Sequence, residues 1–469
     1  MGVESAKVEE VTAAPVPTES EARSNRPTHC VVGGAHAFIL RISSFFGLAP
    51  LRFEARSNGF TVSISSAMCV YSYILVTVLV ICTIFGLVAE INVGVELSVR
   101  MSSRMSQVVS TCDVLVVVAT AGAGVYGAPQ RMRNMLKFME NIASVDTSIG
   151  GQYSLVTERK LCGIILAILI FFSILIADDF TFYALQAKKL DREWDVVTNY
   201  LGFYLLWFVV LILELQFAFT ALSVRARFSA VNDALALTAR QVSVPEKPKS
   251  SSPLNIYAIR VAPADSARSA NVSLLVETMT GREHVVIIKR TVSIISASGE
   301  PRLIVSPCDA VRRLAALHGT LCDVVNSIDD SYGLPLIVIL ISTLLHLIVT
   351  PYFLIMEIIV STNRIHFLVL QFLWCVTHML RMIVVVEPGH YTIAEGKRTE
   401  ALVCRLMTSA PSTGVLPSRL EIFSRQLMLQ SVSYAPMGMC TLHRPLVASV
   451  IGAVTTYLVI LIQFQRYDS

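Results

Sequence analysis

Charge is what this chain has least of. Only 15% of its 469 residues are Asp, Glu, Lys or Arg, against 54% hydrophobic, which is too little polar surface to coat a soluble globule of that size. A mean hydropathy of +0.62 agrees. An excess of one sign is missing as well: 38 basic residues face 34 acidic ones, and a net charge of +4 is too balanced to suggest a nucleic-acid partner. The sequence has no H-E-x-x-H, G-x-S-x-G, Walker or C-x-x-C motif, so no enzyme, metal or cofactor is expected from it. Before the first long apolar run, Met1 to Arg26 has no apolar h-region and carries Glu4, Glu9, Glu10, Glu19 and Glu21. Residues 1–28 therefore read as a disordered cytoplasmic tail rather than a cleavable signal.

What the chain has instead is a set of long apolar runs. Seven are long enough to cross about 30 Å of hydrocarbon: Ala67 to Ile91, Val108 to Gly127, Leu161 to Tyr183, Thr198 to Thr220, Leu334 to Val360, His366 to Glu387, and Leu446 to Phe464. They are continuously apolar and lack the alternation of a barrel strand. The expected fold is an all-α membrane protein with seven transmembrane helices, multi-pass in the plasma membrane. The run from Cys30 to Pro50 is broken by Gly33-Gly34, His36 and Arg41, so residues 29–66 read as an interfacial or re-entrant helix outside the spans.

Basic residues near the span ends set the orientation. One side collects Arg52, Arg56, Arg131, Arg133, Lys137, Arg159, Lys160, Arg225, Arg227, Lys397, Arg398, Arg405 and Arg444; the other has Arg100, Arg104, Lys188, Lys189, Arg192, Arg364 and Arg466. The first side is expected to be cytoplasmic, with the N-terminus inside and the C-terminus outside. All ten cysteines fall in spans or on that side, so no structural disulfide is required. The sequon Asn271-Val272-Ser273 falls there too and should carry no glycan.

Spans one to four occupy residues 67–241. Residues 242–306 hold Pro245, Pro248, Pro253, Pro263, Pro301 and a Ser250-Ser251-Ser252 cluster, the composition of a flexible cytoplasmic insertion, in which Val285 to Ile288 and Val292 to Ile295 are candidates to pair. Residues 307–387 hold spans five and six. Val311, Leu314, Leu317 and Leu321 recur at helical spacing and extend span five into the cytoplasm. Residues 388–445 show similar patterning at Ala394 to Met407 and Ser418 to Val432, predicting cytoplasmic anchor helices before span seven and a short outer tail at 446–469.

That last span ends in Thr456-Tyr457, five aliphatic residues, and Gln463-Phe464. With roughly 3 to 6% background for each of the four fixed positions, chance gives about 10⁻⁵ per window. The pattern resembles the signature of insect gustatory receptors, within the gustatory and odorant receptor ion-channel superfamily. The likeness extends over Tyr434 to Gln465, except that His443, in Thr441 to Leu446, stands where those proteins commonly carry an acid. The stretch from Glu214-Leu215-Gln216-Phe217 to Arg227-Phe228 and the sequence Val447 to Gln465 look most like the sugar-sensing, fructose-receptor branch. The resemblance implies a tetrameric ligand-gated cation channel whose pore is lined by four copies of the last helix, working as a homomer or with related subunits.

On a helix starting near Pro445, Ala448, Gly452 and Thr456 form a stripe of small residues that either lines a pore between copies or packs within one subunit. Tyr457, Leu461 and Phe464 share one face and Thr456, Ile460 and Gln463 the next. A ring of Phe464 side chains can exclude water and Gln463 amides can partly solvate cations, so these two are the expected gate. No carboxylate lines this helix, and the pore should discriminate poorly among cations.

In the outer halves of spans two to six, Asp178, Asp179, Tyr204, Trp207, His346, Thr350, Tyr352, Gln371 and Trp374 lie at comparable depth and are the candidate ligand-binding residues. Gln371 and Trp374 are three apart and share a face, pairing an amide with a flat ring, which suits a sugar. Glu214 and Gln216 lie deeper and are expected to bond between helices or pair with Arg381. A gustatory channel opened by a sugar such as fructose is thus the leading expectation, with a metabotropic receptor, a sugar transporter, or a channel gated by a non-sugar tastant as alternatives.

Overall fold

Helix length decides most of the architecture. The computed structural model describes residues 30–56, 59–94, 98, 104–149, 152–243, 294–295, 301–302, 306–360, 365–410 and 414–468. Its long helices are α2 (Ser66–Val93), α3 (Arg104–Tyr126), α4 (Ala128–Ile149), α5 (Gln152–Lys188), α6 (Glu193–Ser243), α7 (Pro307–Val360) and α8 (Ile365–Ser409). A short α9 (Leu416–Leu429), a 3₁₀ turn (Pro436–Gly438) and α10 (Arg444–Asp468) complete the chain. Seven of these helices are long and apolar enough to cross a membrane: α2, α3, α5, α6, α7, α8 and α10. At about 1.5 Å per residue, α6, α7 and α8 are each more than twice as long as a bilayer core is thick. Their excess length projects from the end of the bundle that carries Arg131, Arg227 and Arg398, the basic end.

Burial ranks the helices. In its most apolar stretch α6 is 83% buried, against 28% for α2 and 22% for α5, so α6 is the post around which the others pack. Gly86 of α2 and Gly202 of α6 allow that packing: a Cβ on Gly86 would stand 2.1 Å from the Asn199 carbonyl oxygen, and one on Gly202 3.0 Å from Thr83 Oγ1. Gly86→Ala should therefore push α2 off α6 at a cost of about 2–3 kcal/mol. Thermal unfolding of the detergent-solubilised protein would show it as a lower midpoint; an unchanged midpoint would mean that the helices cross elsewhere.

At the basic end the extensions form a second layer. Asn232 of α6 donates to the Glu395 backbone carbonyl at 2.9 Å and accepts from Thr399 at 2.7 Å, while Arg398 reaches Asp233 at 2.8 Å. His318 of α7 packs between Phe228 of α6 and Phe423 of α9. Tyr434, wholly buried against Phe217, has its phenol pushed up by that burial and stays neutral.

Three local features differ from the sequence expectations. Residues 388–409 are not a separate helix, because α8 runs unbroken through Pro388; Gly389 there lets α8 meet Leu442, to whose backbone oxygen a Cβ would come within 2.8 Å. Between spans two and three lies α4, whose Met132, Met135, Leu136, Met139, Ile142 and Val145 form one buried stripe. Within 29–66 the helix is only α1 (Gly34–Phe45). Around it, β1 (Cys30–Val32), β2 (Leu51–Arg56) and β3 (Gly59–Ile64) form an antiparallel sheet in the order β1-β3-β2. In the insertion, β4 (Ile294–Ile295) pairs with β5 (Pro301–Arg302), whereas Val285 to Ile288, the sequon and residues 1–28 lie outside the described residues. The cysteines from Cys69 to Cys440 are free thiols.

Candidate functional site

Helical periodicity assembles the site. Tyr204, Trp207 and Glu214 lie on one stripe of α6, Gln371, Trp374, His378 and Arg381 on one stripe of α8, and Ser342, His346 and Thr350 on one stripe of α7. The stripes converge in the half of the bundle away from the basic end. Trp374 is nine residues into α8 and Trp207 fourteen into α6, so both sit about 14–21 Å along their helices from the end opposite the basic one.

Four rings form the centre. His378 stacks between Trp374, at 5.6 Å and 25°, and His346, at 4.7 Å and 21°. Trp207 leans on all three, at 5.7 Å from Trp374, 4.9 Å from His346 and 5.8 Å from His378. Phe172 of α5 closes the side with its ring edge toward Trp374, 6.0 Å away. Offset and edge contacts of this kind contribute about 0.5–1.5 kcal/mol each beyond area burial, so the cluster is rigid as well as apolar.

Polar groups frame the rings. Asp179 of α5 accepts from the Trp374 indole at 3.2 Å through one oxygen and from the Tyr204 hydroxyl through the other. The neighbouring Asp178 is not part of this: it is half exposed and faces His366 at 3.3 Å. Consecutive residues on a helix point about 100° apart, and only one can face inward. Below the rings, Arg381 donates through Nε to both Glu214 oxygens at 3.1 Å and lies over the Trp207 face, 4.5 Å from its centroid. The pairing of Glu214 with Arg381 expected from sequence is present. His346 Nε2 is 2.5 Å from Asp113 of α3.

Gln371, Thr350 and Tyr352 are buried, Gln371 one turn before Trp374 on the same face, while Tyr352 turns its ring toward Phe353. Sequence reasoning passed over His378, Asp113 and Phe172. Asp113 carried a signal, a lone carboxylate inside an apolar span, and His378 follows Trp374 by one turn. Nearby, a cavity of about 10 Å³ lined by Thr83, Ser110, Asn199, Tyr200 and Phe203 has room for one water molecule at most.

The last helix behaves differently. None of the most apolar stretch of α10 is buried; Leu446, Val447, Val450 and Val454 rest on Leu347 of α7 and Met382 and Val386 of α8. The small stripe of Ala448, Gly452 and Thr456 points the other way and is exposed, so it does not pack within the subunit. Thr456 bonds back to the Gly452 carbonyl at 3.0 Å, and Tyr457, Ile460 and Gln463 are exposed, with Leu461 half-buried. The Phe464 side chain lies outside the described residues. At the base of α10, Arg444 holds Glu387 of α8 at 2.8 Å.

Comparison with known proteins covers nearly all of this architecture. A family model described as 7tm Chemosensory receptor matches residues 36–467. The chain is 30% identical over 438 residues to the Gustatory receptor for sugar taste 43a of Drosophila melanogaster, covering 91% of this chain and 97% of that protein. The fold is similar to that of the insect olfactory receptor OR5 from Machilis hrabei, with a TM-score of 0.58 and 11% identity over 92% of this chain and 97% of the other. The same receptor in complex with eugenol gives a TM-score of 0.55 at 10% identity, covering 91% and 97%.

Proposed function

Because the chain belongs to the 7tm chemosensory receptor family, we propose that it is a gustatory receptor working as a tetrameric, ligand-gated, nonselective cation channel opened by a sugar such as fructose. It stands among receptors of the membrane rather than enzymes. In this reading the basic end is cytoplasmic, the C-terminus is outside, and the ring cluster is the agonist site, reached from outside between α3, α5, α6, α7 and α8.

The observation that carries the sugar reading is the placing of Asp179, with both oxygens used as acceptors, against the buried wall of Trp207 and Trp374. Hydroxyls exchange readily for the indole N–H and phenol O–H that now occupy such a carboxylate, while sugar C–H faces stack on indole. The similarity of this chain over almost its whole length to a receptor for sugar taste supports it. The cluster is closed in the described conformation, so agonist binding must draw the Trp374 ring off Trp207 while the His346–His378 stack stays in place, and that displacement is available to do work on α8.

α8 is the element that would carry it. One unbroken helix holds Trp374 in the site, Met382 and Val386 against α10, and Glu387 on Arg444 at the base of α10. The exposed stripe of Ala448, Gly452 and Thr456 would face the pore or the next copy, and Phe464 with Gln463, backed by Tyr457, Leu461 and Ile460, would close the outer mouth. Replacing Phe464 with Ala should then raise the basal, agonist-free current severalfold, measured as leak per surface receptor; wild-type leak would remove Phe464 from the gate.

The test of the whole proposal is current from cells expressing the chain alone under a panel of sugars and of aromatic tastants. Fast current independent of G-protein signalling, reversing near zero, is the expected result with fructose. Uptake without current would mean a transporter, and a response lost on blocking G-protein signalling a metabotropic receptor. Current evoked only by aromatic tastants would keep the channel and overturn the sugar.

A further inference from the structure

The geometry points to Asp113 of α3 as a positioning residue for agonist affinity, acting through His346. This rests on the reading of the ring cluster as the agonist site. His346 Nδ1 is 2.5 Å from the carbonyl oxygen of Ser342, one turn earlier on α7. A carbonyl only accepts, so that nitrogen carries hydrogen. Its other nitrogen, Nε2, meets Asp113 Oδ1, and the two side chains are 5% and 12% exposed. Both ring nitrogens are committed, one along the helix and one across to α3.

An imidazole held at both ends cannot turn about its side-chain bonds. Its plane is therefore fixed near parallel to His378, at 4.7 Å and 21°, and tilted by 59° against Trp207, at 4.9 Å. Those two rings make the wall on which Trp374 and Arg381 in turn rest. Through that contact Asp113 holds the α7 side of the wall from α3. A wall set in advance binds a ligand without first having to order the side chains that meet it. Releasing His346 would let the ring rotate, and part of the binding free energy would then be lost to restoring the stack.

The charged groups around this pair leave Asp113 the natural partner. His378 accepts from Arg381 Nη1 at 3.4 Å, and Arg381 is itself held by Glu214. On α6, Glu214 is engaged with Arg381, and Trp207 carries no charge. Asp113 is the carboxylate that meets His346.

The experiment compares fructose concentration–response curves for wild type, Asp113→Asn, Asp113→Glu, His346→Gln and the Asp113→Asn/His346→Gln double variant, each normalised to surface receptor and accompanied by thermal unfolding of the solubilised protein. The loss of one charge-assisted hydrogen bond should raise the half-maximal concentration of Asp113→Asn about tenfold, with the maximal current per receptor unchanged. Asp113→Glu should recover part of the shift, and the double variant should be no worse than His346→Gln alone, because the two side chains act as one unit. An unchanged half-maximal concentration in Asp113→Asn overturns the inference, as do additive effects of the two substitutions. So does a variant that only loses surface level or unfolding temperature. A wild-type chain that answers no sugar overturns the agonist-site reading and this inference with it, whereas a responsive wild type with an indifferent Asp113→Asn overturns the inference alone.

Discussion

Arg381→Met should leave little receptor at the cell surface. Arg381 and Glu214 are 2% and 0% exposed, and the guanidinium meets both carboxylate oxygens while covering the Trp207 ring. Removing the cation strands a carboxylate among apolar helices, and breaking a buried pair in this way costs about 3–5 kcal/mol, a large share of the roughly 5–15 kcal/mol that holds a typical fold. The compensating experiment separates charge from shape. Glu214→Leu together with Arg381→Met removes both charges and fills similar volume, and it should restore surface receptor, since such exchanges are often neutral or stabilising. Arg381→Lys should rescue poorly, because an ammonium cannot make the two-oxygen contact or lie flat on Trp207. Surface biotinylation reads all three; wild-type levels for Arg381→Met would show that Glu214 finds another partner.

Trp374→Ala should abolish the sugar response. The indole touches Trp207, His378 and Phe172 and donates to Asp179, so its loss removes a wall of the site and a hydrogen bond to that carboxylate. Truncating a buried aromatic of this size costs about 3–5 kcal/mol, so part of the protein is expected to be lost as well. Trp374→Phe resolves the two effects. It keeps a ring face for stacking but has no N–H, and the surface level should be close to wild type while the half-maximal sugar concentration rises about tenfold, the worth of one hydrogen bond to a charged group. If surface-delivered Trp374→Phe and Trp374→Ala channels both answer fructose at the wild-type concentration, the ring cluster is not the agonist site.

The pattern of what was legible in the sequence follows from the range of each signal. Seven spans were readable because crossing hydrocarbon demands about twenty apolar residues in a row, a local requirement with few exceptions. The Arg381–Glu214 pair was anticipated because charges inside a membrane need a partner at matching depth, and few were on offer. Two features were legible and missed: the sequence Asn58-Gly59, whose glycine opens β3, is a strong hairpin signal, and the 3.6-residue apolar period of α4 is clear from Met132 to Val145. The unbroken run of α8 through Pro388 was not legible. A proline removes one helical hydrogen bond and normally marks a boundary; here the neighbours of α8, Asn232 and Leu442 among them, hold the two halves in line.

By itself, then, the sequence determined the class: an all-helical, seven-span membrane protein with a recognisable ending to its last helix, because apolar length and a short motif are properties of contiguous residues. Which of two adjacent aspartates faces inward, that His378 completes the stack and Asp113 reaches His346, and that the small stripe of α10 turns away from its own subunit were decided only by the tertiary structure. Each depends on the rotation of one helix about its axis relative to another. That rotation is set by close packing such as that of Gly86 against the Asn199 backbone, between residues more than a hundred positions apart, and no local pattern encodes it.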